Sequence, residues 1–262
     1  MSRMTKAQAG AVSTYEKLRE MYPDAHCELD HRSAFELLVA TVLSAQSTDK
    51  MVNSVTPTLV AKDPTPEKLA NASPADVEKL VGSTGFFRQK TKAIMGLSKK
   101  IVEEHGGEVP KTMEELVKLP CVGRKTANVL LGVWFRSPVG VVVDTHVQRV
   151  SQRLGWTKHT DPVDIEQDLM RILPQSEWDC VAHVLIFHGR RVCYAQRPAC
   201  ASCGVNDVCP SAFHAENVGR KPPRVRPAAK KTQGAAKAGK KAAAPATRAS
   251  TAGHPRVKKR AR

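Results

Sequence analysis

The sequence has no long apolar run. A membrane-spanning helix needs about 20 consecutive apolar residues, and no window of the 262 residues approaches that length. The first residues, MSRMTKAQAGAV, also lack the apolar core of a signal peptide. These absences argue against a membrane partner and predict a soluble, cytoplasmic protein.

Acidic residues are missing from the C-terminal part of the chain. Of the 41 Lys and Arg residues, 15 lie from Asn217 onward, where there is no Asp or Glu. Residues 1–216 therefore have 26 basic and 25 acidic residues, so nearly all of the net charge of +16 belongs to the tail. A basic segment without large apolar residues cannot offset its ordering entropy, and we predict a disordered basic tail over 216–262. Such a tail either has no function or contacts polyanions without reading their sequence.

Strand signals are few, whereas helix signals recur along the chain. Ser33 followed by Glu36 predicts the start of an apolar helix, FELLVATVL, which we expect to be buried inside a bundle. Ser176 predicts the start of a helix that ends at Gly189. Only residues 139–143 favour an extended conformation. The pattern predicts an all-α fold.

Four of the seven cysteines lie in one short segment, namely Cys193, Cys200, Cys203 and Cys209. In a reducing compartment, clustered cysteines indicate metal ligands rather than disulfides. Zinc ribbons use paired C-x-x-C motifs, and this segment has only one. An iron–sulfur cubane takes four cysteines at uneven spacing. Spacing alone leaves zinc and a [4Fe-4S] cluster as alternatives.

Three arginines lie around the cysteine segment, namely Arg190, Arg191 and Arg197. Surface arginines are usually solvated, but three of them beside a metal-held loop would form a rigid phosphate-binding patch. We therefore predict that they bind phosphate, with ordinary solvated side chains as the alternative.

The segment LPCVGRKTANVLLGVW predicts two helices joined by a tight turn at Pro120 and Gly123. We expect the second helix to begin near Arg124, so that free backbone amides can bind an anion such as a backbone phosphate. Lys125 falls in the first turn of that helix, where the positive helix end disfavours a cation and favours the nucleophilic amine. A lysine that contacts phosphate or solvent is the alternative.

Two other polar residues follow apolar segments. Asp144 comes after three valines and before a helical pattern, where Asp is a favourable N-cap. A carboxylate held in this way is also oriented to stabilise a nearby positive charge. Gln46 follows the apolar helix, and it either belongs to an exit loop or is delivered by the core to a surface site.

The chain resembles the endonuclease III family in several motifs that occur in the same order. They are LLVATVLSAQSTD, LPCVGRKTANVLLG, VDTHVQR and the C-x6-C-x2-C-x5-C loop. The resemblance covers about residues 12–212 and implies an all-α, two-lobed helix–hairpin–helix DNA glycosylase fold, with the active site between the lobes. A six-helix barrel would occupy 27–138, and a [4Fe-4S] cluster domain would occupy 1–26 and 139–215.

The resemblance also implies roles for individual residues. Lys125 matches the Schiff-base lysine of the family and Asp144 its essential aspartate, while Gln46 matches the residue that fills the gap left by a flipped nucleotide. Phe86 stands where relatives often carry a leucine wedge. Cys121 departs from the usual hairpin, L-P-G-V-G. If the backbone there requires glycine, the cysteine lowers the free energy of unfolding by about 1 kcal/mol or more.

The implied function is base excision repair. The protein would remove oxidised pyrimidines from duplex DNA and cleave the abasic site through a Schiff base and β-elimination. We expect a monomer, associated with the bacterial nucleoid by its activity, whose partner is double-stranded DNA containing damaged pyrimidines or abasic sites. The predicted DNA contacts are Gln46, Phe86, Cys121, Gly123, Arg124, Arg190, Arg191 and Arg197.

Two alternatives accompany this interpretation. One is an adenine-mismatch DNA glycosylase, but that branch lacks the lysine nucleophile and carries a catalytic glutamate where this chain has Thr41. The other is a non-catalytic DNA-damage binding protein, in which the cluster is only structural.

Overall fold

The computed structural model describes residues 5–218, and within this range the regular secondary structure is helical, without a β-strand. Short 3-10 turns and one π-helical turn, Leu130–Trp134, accompany the α-helices. The predicted all-α class is therefore confirmed. The eleven α-helices in this range are α1 Lys6–Met21, α2 Ala34–Leu43, α3 Asp49–Lys62, α4 Pro66–Ala70, α5 Pro74–Val81, α6 Phe87–His105, α7 Met113–Leu116, α8 Arg124–Val129, α9 Thr145–Arg153, α10 Pro162–Ile172 and α11 Trp178–Arg191.

Helix α2 is the buried helix that the apolar pattern predicts. Seven of its ten residues are buried, and it packs against α3, α6 and α8. Ser33 caps the helix as expected, because its side chain accepts a hydrogen bond of 3.1 Å from the Glu36 amide. The Glu36 carboxylate accepts from the Arg32 amide instead of returning to Ser33. This buried helix delivers its C-terminal end, and with it Gln46, to the surface.

The prediction for α11 was wrong at both ends. Ser176 lies in a 3-10 turn that precedes the helix, and the helix continues beyond Gly189 to Arg191. A Cβ atom at Gly189 would lie 2.9 Å from His146 Nδ1 and 3.0 Å from Arg149 Nη2. The glycine therefore permits the close approach of α9 to α11 rather than ending α11.

Residues 135–144 connect the π-helical turn to α9 as a segment without regular secondary structure. Val141, Val142 and Val143 are buried within it, and no described strand pairs with it. The extended run predicted over 139–143 forms no strand in the described chain, and its three buried valines pack by side-chain contact instead of by sheet hydrogen bonds. The segment ends at Asp144.

The described residues belong to one compact unit. Helix α1 packs against α10 and α11, whereas α4 and α5 pack against α6. The boundaries of the two predicted domains, 27–138 and 1–26 with 139–215, stay predictions. Most of the predicted tail, from residue 219 onward, lies outside the described residues. Among the helices that the structure describes, none is both long enough and apolar enough to cross a lipid bilayer.

Candidate active site and cluster loop

Lys125 and Asp144 line one cleft, although different elements carry them. Lys125 is exposed in the first turn of α8, and Asp144 directly precedes α9. The cleft has a volume of about 330 Å³ and is also lined by Thr41, His183 and Arg190. An amine and a carboxylate that face the same space can act on neighbouring atoms of one bound molecule.

Asp144 is held by backbone amides, as the sequence predicted for an N-cap. Its Oδ1 atom accepts hydrogen bonds of 2.8 Å from the amides of His146 and Val147. Both cap bonds use the same oxygen, so the carboxylate is oriented while Oδ2 takes no part in the cap. Burial lowers the pKa of His146, which favours a neutral imidazole beside this carboxylate.

The hairpin turn between α7 and α8 brings backbone amides to the surface. Gly123 is the N-cap of α8 and is extended, and no side chain accepts a hydrogen bond from the first amides of the helix. Leu119 O accepts a hydrogen bond of 3.2 Å from the Val122 amide, which closes the turn. Between them, Cys121 is exposed and has a φ of 60°. The position therefore has the left-handed backbone that favours glycine.

We expect Cys121→Gly to increase the free energy of unfolding by about 0.5–1 kcal/mol. A side chain in the left-handed region costs about 1–2 kcal/mol, and the greater entropy of an unfolded glycine offsets part of the gain. Chemical denaturation of both proteins measures the difference. Cys121→Ala is the matched control, since it removes the thiol but keeps the Cβ atom, and it should bring no gain. An equal increase in the free energy of unfolding of the alanine variant would show that the thiol, and not the backbone conformation, destabilises the protein.

Left-handed backbone occurs at four of the residues predicted to contact DNA. Gln46 has a φ of 54°, Phe86 of 47°, Cys121 of 60° and Arg197 of 46°. Only two other non-glycine residues of the described chain have a positive φ. Such conformations are costly and tend to occur where a structure holds a functional side chain in place. The Phe86 side chain is 62% exposed, an arrangement that burial of apolar surface alone would disfavour.

Two of the predicted DNA-binding arginines engage carboxylates of other elements. Arg124 forms a bidentate pair with Glu166, with Nε to Oε2 at 2.6 Å and Nη2 to Oε1 at 3.1 Å. Arg190 donates to Glu28, and its Nη2 lies 2.9 Å from Asp49 Oδ2. A phosphate would have to compete with these carboxylates, so contact of either arginine with DNA stays a prediction.

The other two arginines differ in their surroundings. Arg191 pairs with Asp24 at 2.9 Å, and its guanidinium lies 4.3 Å from the centre of the Phe187 ring. Arg197 is exposed in the cysteine segment. The three arginines adjoin the segment as expected, but Arg190 and Arg191 are neutralised in part by acids, and the phosphate-binding patch also stays a prediction.

The four clustered cysteines line one cavity, so the fold brings these residues together, and their role as metal ligands stays a prediction. Arg153 is 1% exposed, and its Nη1 atom lies 3.3 Å from Cys193 Sγ and 2.7 Å from Tyr194 O. His188 is also buried, with Nε2 at 3.8 Å from Cys203 Sγ. Buried side chains of α9 and α11 therefore lie against the sulfur atoms of Cys193 and Cys203.

The donor set of four thiols fits a polynuclear cluster, and zinc stays the alternative. Within residues 5–218, no group of three or more His, Cys, Asp or Glu side chains is arranged around one metal-ion position. Burial raises the pKa of the Cys203 and Cys209 thiols, so both would stay protonated without a cationic group between them. Four thiols spread around one cavity, with nearby N–H donors, match the needs of a [4Fe-4S] cluster.

Several residues of these sites were not predicted. His183 lines the cleft, Arg153 supports the cysteine segment and Glu166 binds the hairpin helix. Arg153 could have been found, since Arg149 and Arg153 recur at helical spacing beside buried valines of α9. Glu166 has no comparable local signal, because its partner is 42 residues away in the chain.

The hairpin, the helical fold and the cleft define a class of protein. Residues 39–175 match the HhH-GPD superfamily of base excision DNA repair proteins. The chain is thus a helix–hairpin–helix protein of base excision repair.

Individual relatives narrow this class. The chain is 50% identical to endonuclease III of Synechocystis sp. over 212 residues, which are 81% of this chain and 97% of the relative. It is 48% identical to endonuclease III of Bacillus subtilis over 195 residues, 74% of this chain and 89% of the relative. A solved structure of a trapped covalent intermediate of endonuclease III with DNA matches with a TM-score of 0.75 at 42% identity, over 80% of this chain and 98% of that one.

The chain therefore belongs to the endonuclease III family. It is a base-excision-repair DNA glycosylase of a family in which abasic-site lyase activity is typical and an iron–sulfur cluster is general. The fold class and the enzyme class that the sequence motifs implied are both confirmed.

Proposed function

We propose that this protein removes oxidised pyrimidines from double-stranded DNA and cleaves the resulting abasic site, with Lys125 as the nucleophile. The observation that carries the proposal is the cleft that Lys125 and Asp144 share. The structurally similar endonuclease III has been trapped as a covalent intermediate with DNA, which is the behaviour expected of an amine nucleophile. The enzyme would act as a cytoplasmic monomer.

The chemistry follows from the positions of these two groups. The Lys125 amine forms a bond to the sugar C1′ while the bond from C1′ to the base breaks, and the base leaves with a proton. The sugar ring opens to give an imine, which makes the C2′ proton acidic. Loss of that proton expels the 3′ phosphate by β-elimination, and water then releases Lys125. Asp144 stabilises positive charge that develops on the sugar and assists the proton transfers.

Access to C1′ requires that the damaged nucleotide leave the helix. This step costs a few kcal/mol, less for a base that stacks poorly. Gln46 and Phe86 are exposed, and each is held in a left-handed conformation on a separate loop. In the proposed complex they occupy the space that the flipped nucleotide leaves. The amides around Gly123 bind a backbone phosphate beside the lesion.

The four clustered cysteines hold a [4Fe-4S] cluster in this proposal. The cluster supplies no step of the reaction and serves as a covalent brace for a segment that has little regular secondary structure of its own. Arg153 donates to Cys193 Sγ and to the carbonyl oxygens of Tyr194 and Ala195. These bonds fix the segment, and with it Arg197, against α9.

Duplexes that each contain one lesion test the proposed function. With a single thymine glycol, we expect base release and strand scission, with scission at the same site when the duplex instead contains an abasic site. The undamaged duplex is the control. Binding without product would favour the non-catalytic alternative, and release of adenine from a mismatch without action on thymine glycol would favour the adenine glycosylase.

A further inference from the structure

A buried carboxylate lies behind the hairpin, on α10. The Glu166 side chain is 4% exposed, and its two neighbours along the apolar face of α10, Ile165 and Leu169, are fully buried. The helix itself packs against α1. Glu166 is therefore fixed to a part of the fold that is separate in sequence from both Lys125 and Asp144.

The Glu166 carboxylate accepts three hydrogen bonds from α8. Arg124 provides two of them, and Asn128 Nδ2 provides the third at 2.8 Å from Oε1. Residues four apart in a helix share one face, so both donors project from the same side of α8. Asn128 Oδ1 is buried without a hydrogen-bond partner. The side-chain amide is therefore oriented so that its nitrogen binds Glu166, although this leaves its oxygen unsatisfied.

This face of α8 determines where Lys125 points. Successive residues of an α-helix are rotated by about 100° around its axis. Anchoring Arg124 and Asn128 to Glu166 therefore holds the adjacent Lys125 on a different side of α8 from the anchored face, and Lys125 is exposed and lines the cleft.

Glu166 also contacts the segment that leads to Asp144. A Cβ atom at Gly140 would overlap Glu166 Oε1 and would lie 2.9 Å from Asn128 Nδ2. Gly140 thus lets the backbone pass directly against the carboxylate. Three buried valines connect this contact to Asp144, and their close packing limits how far the segment between Gly140 and Asp144 can shift.

We propose that Glu166 is a positioning residue for the reaction, because its carboxylate ties the helix that carries Lys125 and the segment that carries Asp144 to one point. The inference rests on the proposed roles of Lys125 and Asp144 and adds a residue that touches neither DNA nor the reacting atoms. A displacement of about 1 Å between reacting groups can reduce a rate about 100-fold, so such a tether affects turnover.

Kinetics on a duplex with a preformed abasic site test the proposal. We expect Glu166→Ala to lower the single-turnover rate of borohydride trapping about 10- to 100-fold, with the dissociation constant for DNA changed less than about threefold. Glu166→Gln keeps an acceptor oxygen for Asn128 and should recover most of the rate. Gly140→Ala perturbs the same contact from the side of Asp144 and should reduce the rate in the same way. The matched control is Asp164→Asn, which changes an exposed carboxylate of α10 and should trap at the wild-type rate.

Thermal melting of each variant separates positioning from folding. All rates are measured below the melting transition, and if Glu166→Ala does not fold, Gly140→Ala and Glu166→Gln decide the question. Trapping at the wild-type rate in folded Glu166→Ala or Gly140→Ala would overturn the proposal. So would a rate loss that only parallels a loss of DNA affinity. If the wild-type protein itself forms no trapped complex, the proposed function fails first, whatever the variants do.

Discussion

Replacing Lys125 with alanine is expected to abolish the covalent complex that borohydride traps between the protein and damaged DNA. The amine is the only group proposed to form a bond to C1′, so without it neither the imine nor β-elimination can follow. Trapping on a duplex with one abasic site, followed by denaturing electrophoresis, measures the effect. We expect a loss to background, whereas binding of undamaged duplex should change little because one surface cation contributes weakly at physiological salt.

Lys125→Arg separates the nucleophile from a phosphate contact. Arginine keeps the positive charge and the reach of the side chain, but it stays protonated and does not form an imine. If Lys125 only contacts phosphate, the arginine variant should retain activity. Lys118 is an exposed lysine just before the hairpin. Lys118→Ala is therefore the control for the loss of a surface charge and should trap at the wild-type level. Trapping by Lys125→Ala at the wild-type level would defeat the assignment of the nucleophile.

The local features of this fold could be predicted because short stretches of sequence encode them. Ser33 caps its helix with a side-chain oxygen, and this cap forms as the sequence indicates. Asp144 is likewise held by the amides of His146 and Val147. Each of these bonds joins residues within one helical turn, so the pattern of residue types is sufficient to identify them.

Contacts between distant segments could not be predicted in the same way. Gly189 has the sequence appearance of a helix end, yet its role is to admit α9, which is distant in the chain. Glu166 has the appearance of an ordinary surface acid, yet it is buried against Arg124 and Asn128. Nothing in the residues that flank these two positions specifies what packs against them. The motif resemblance supplied Lys125 and Asp144 but not the groups that hold them.

The backbone conformation of Cys121 shows how a motif and a structure complement each other. The family pattern identified the position as unusual, and the φ of 60° shows why glycine is favoured there. Gln46 and Phe86 share the conformation but have no glycine in the corresponding pattern. The surrounding structure therefore tolerates the strained backbone at both residues. It holds each exposed side chain in a defined direction, which a flexible loop would not do.

Replacing Cys203 with alanine is expected to remove most of the iron and the acid-labile sulfide from the purified protein. A [4Fe-4S] cluster in the wild-type chain predicts about four of each per chain, and three thiols hold a cubane poorly. Without the cluster, residues 193–209 lose their covalent brace and retain the hydrogen bonds from Arg153 together with backbone hydrogen bonds of the segment. We therefore also expect weaker binding of duplex DNA and a lower melting temperature.

Cys180→Ala is the matched control, because Cys180 lies in α11 outside the cysteine segment and should leave the iron content unchanged. Elemental analysis with a sulfide assay distinguishes the two metal alternatives in the wild-type protein. One zinc per chain without sulfide would contradict the cluster, as would an unchanged iron content in Cys203→Ala. If the iron disappears while DNA affinity and melting temperature stay the same, the four thiols hold a cluster that does not brace the segment, and the hydrogen bonds are sufficient to fix it.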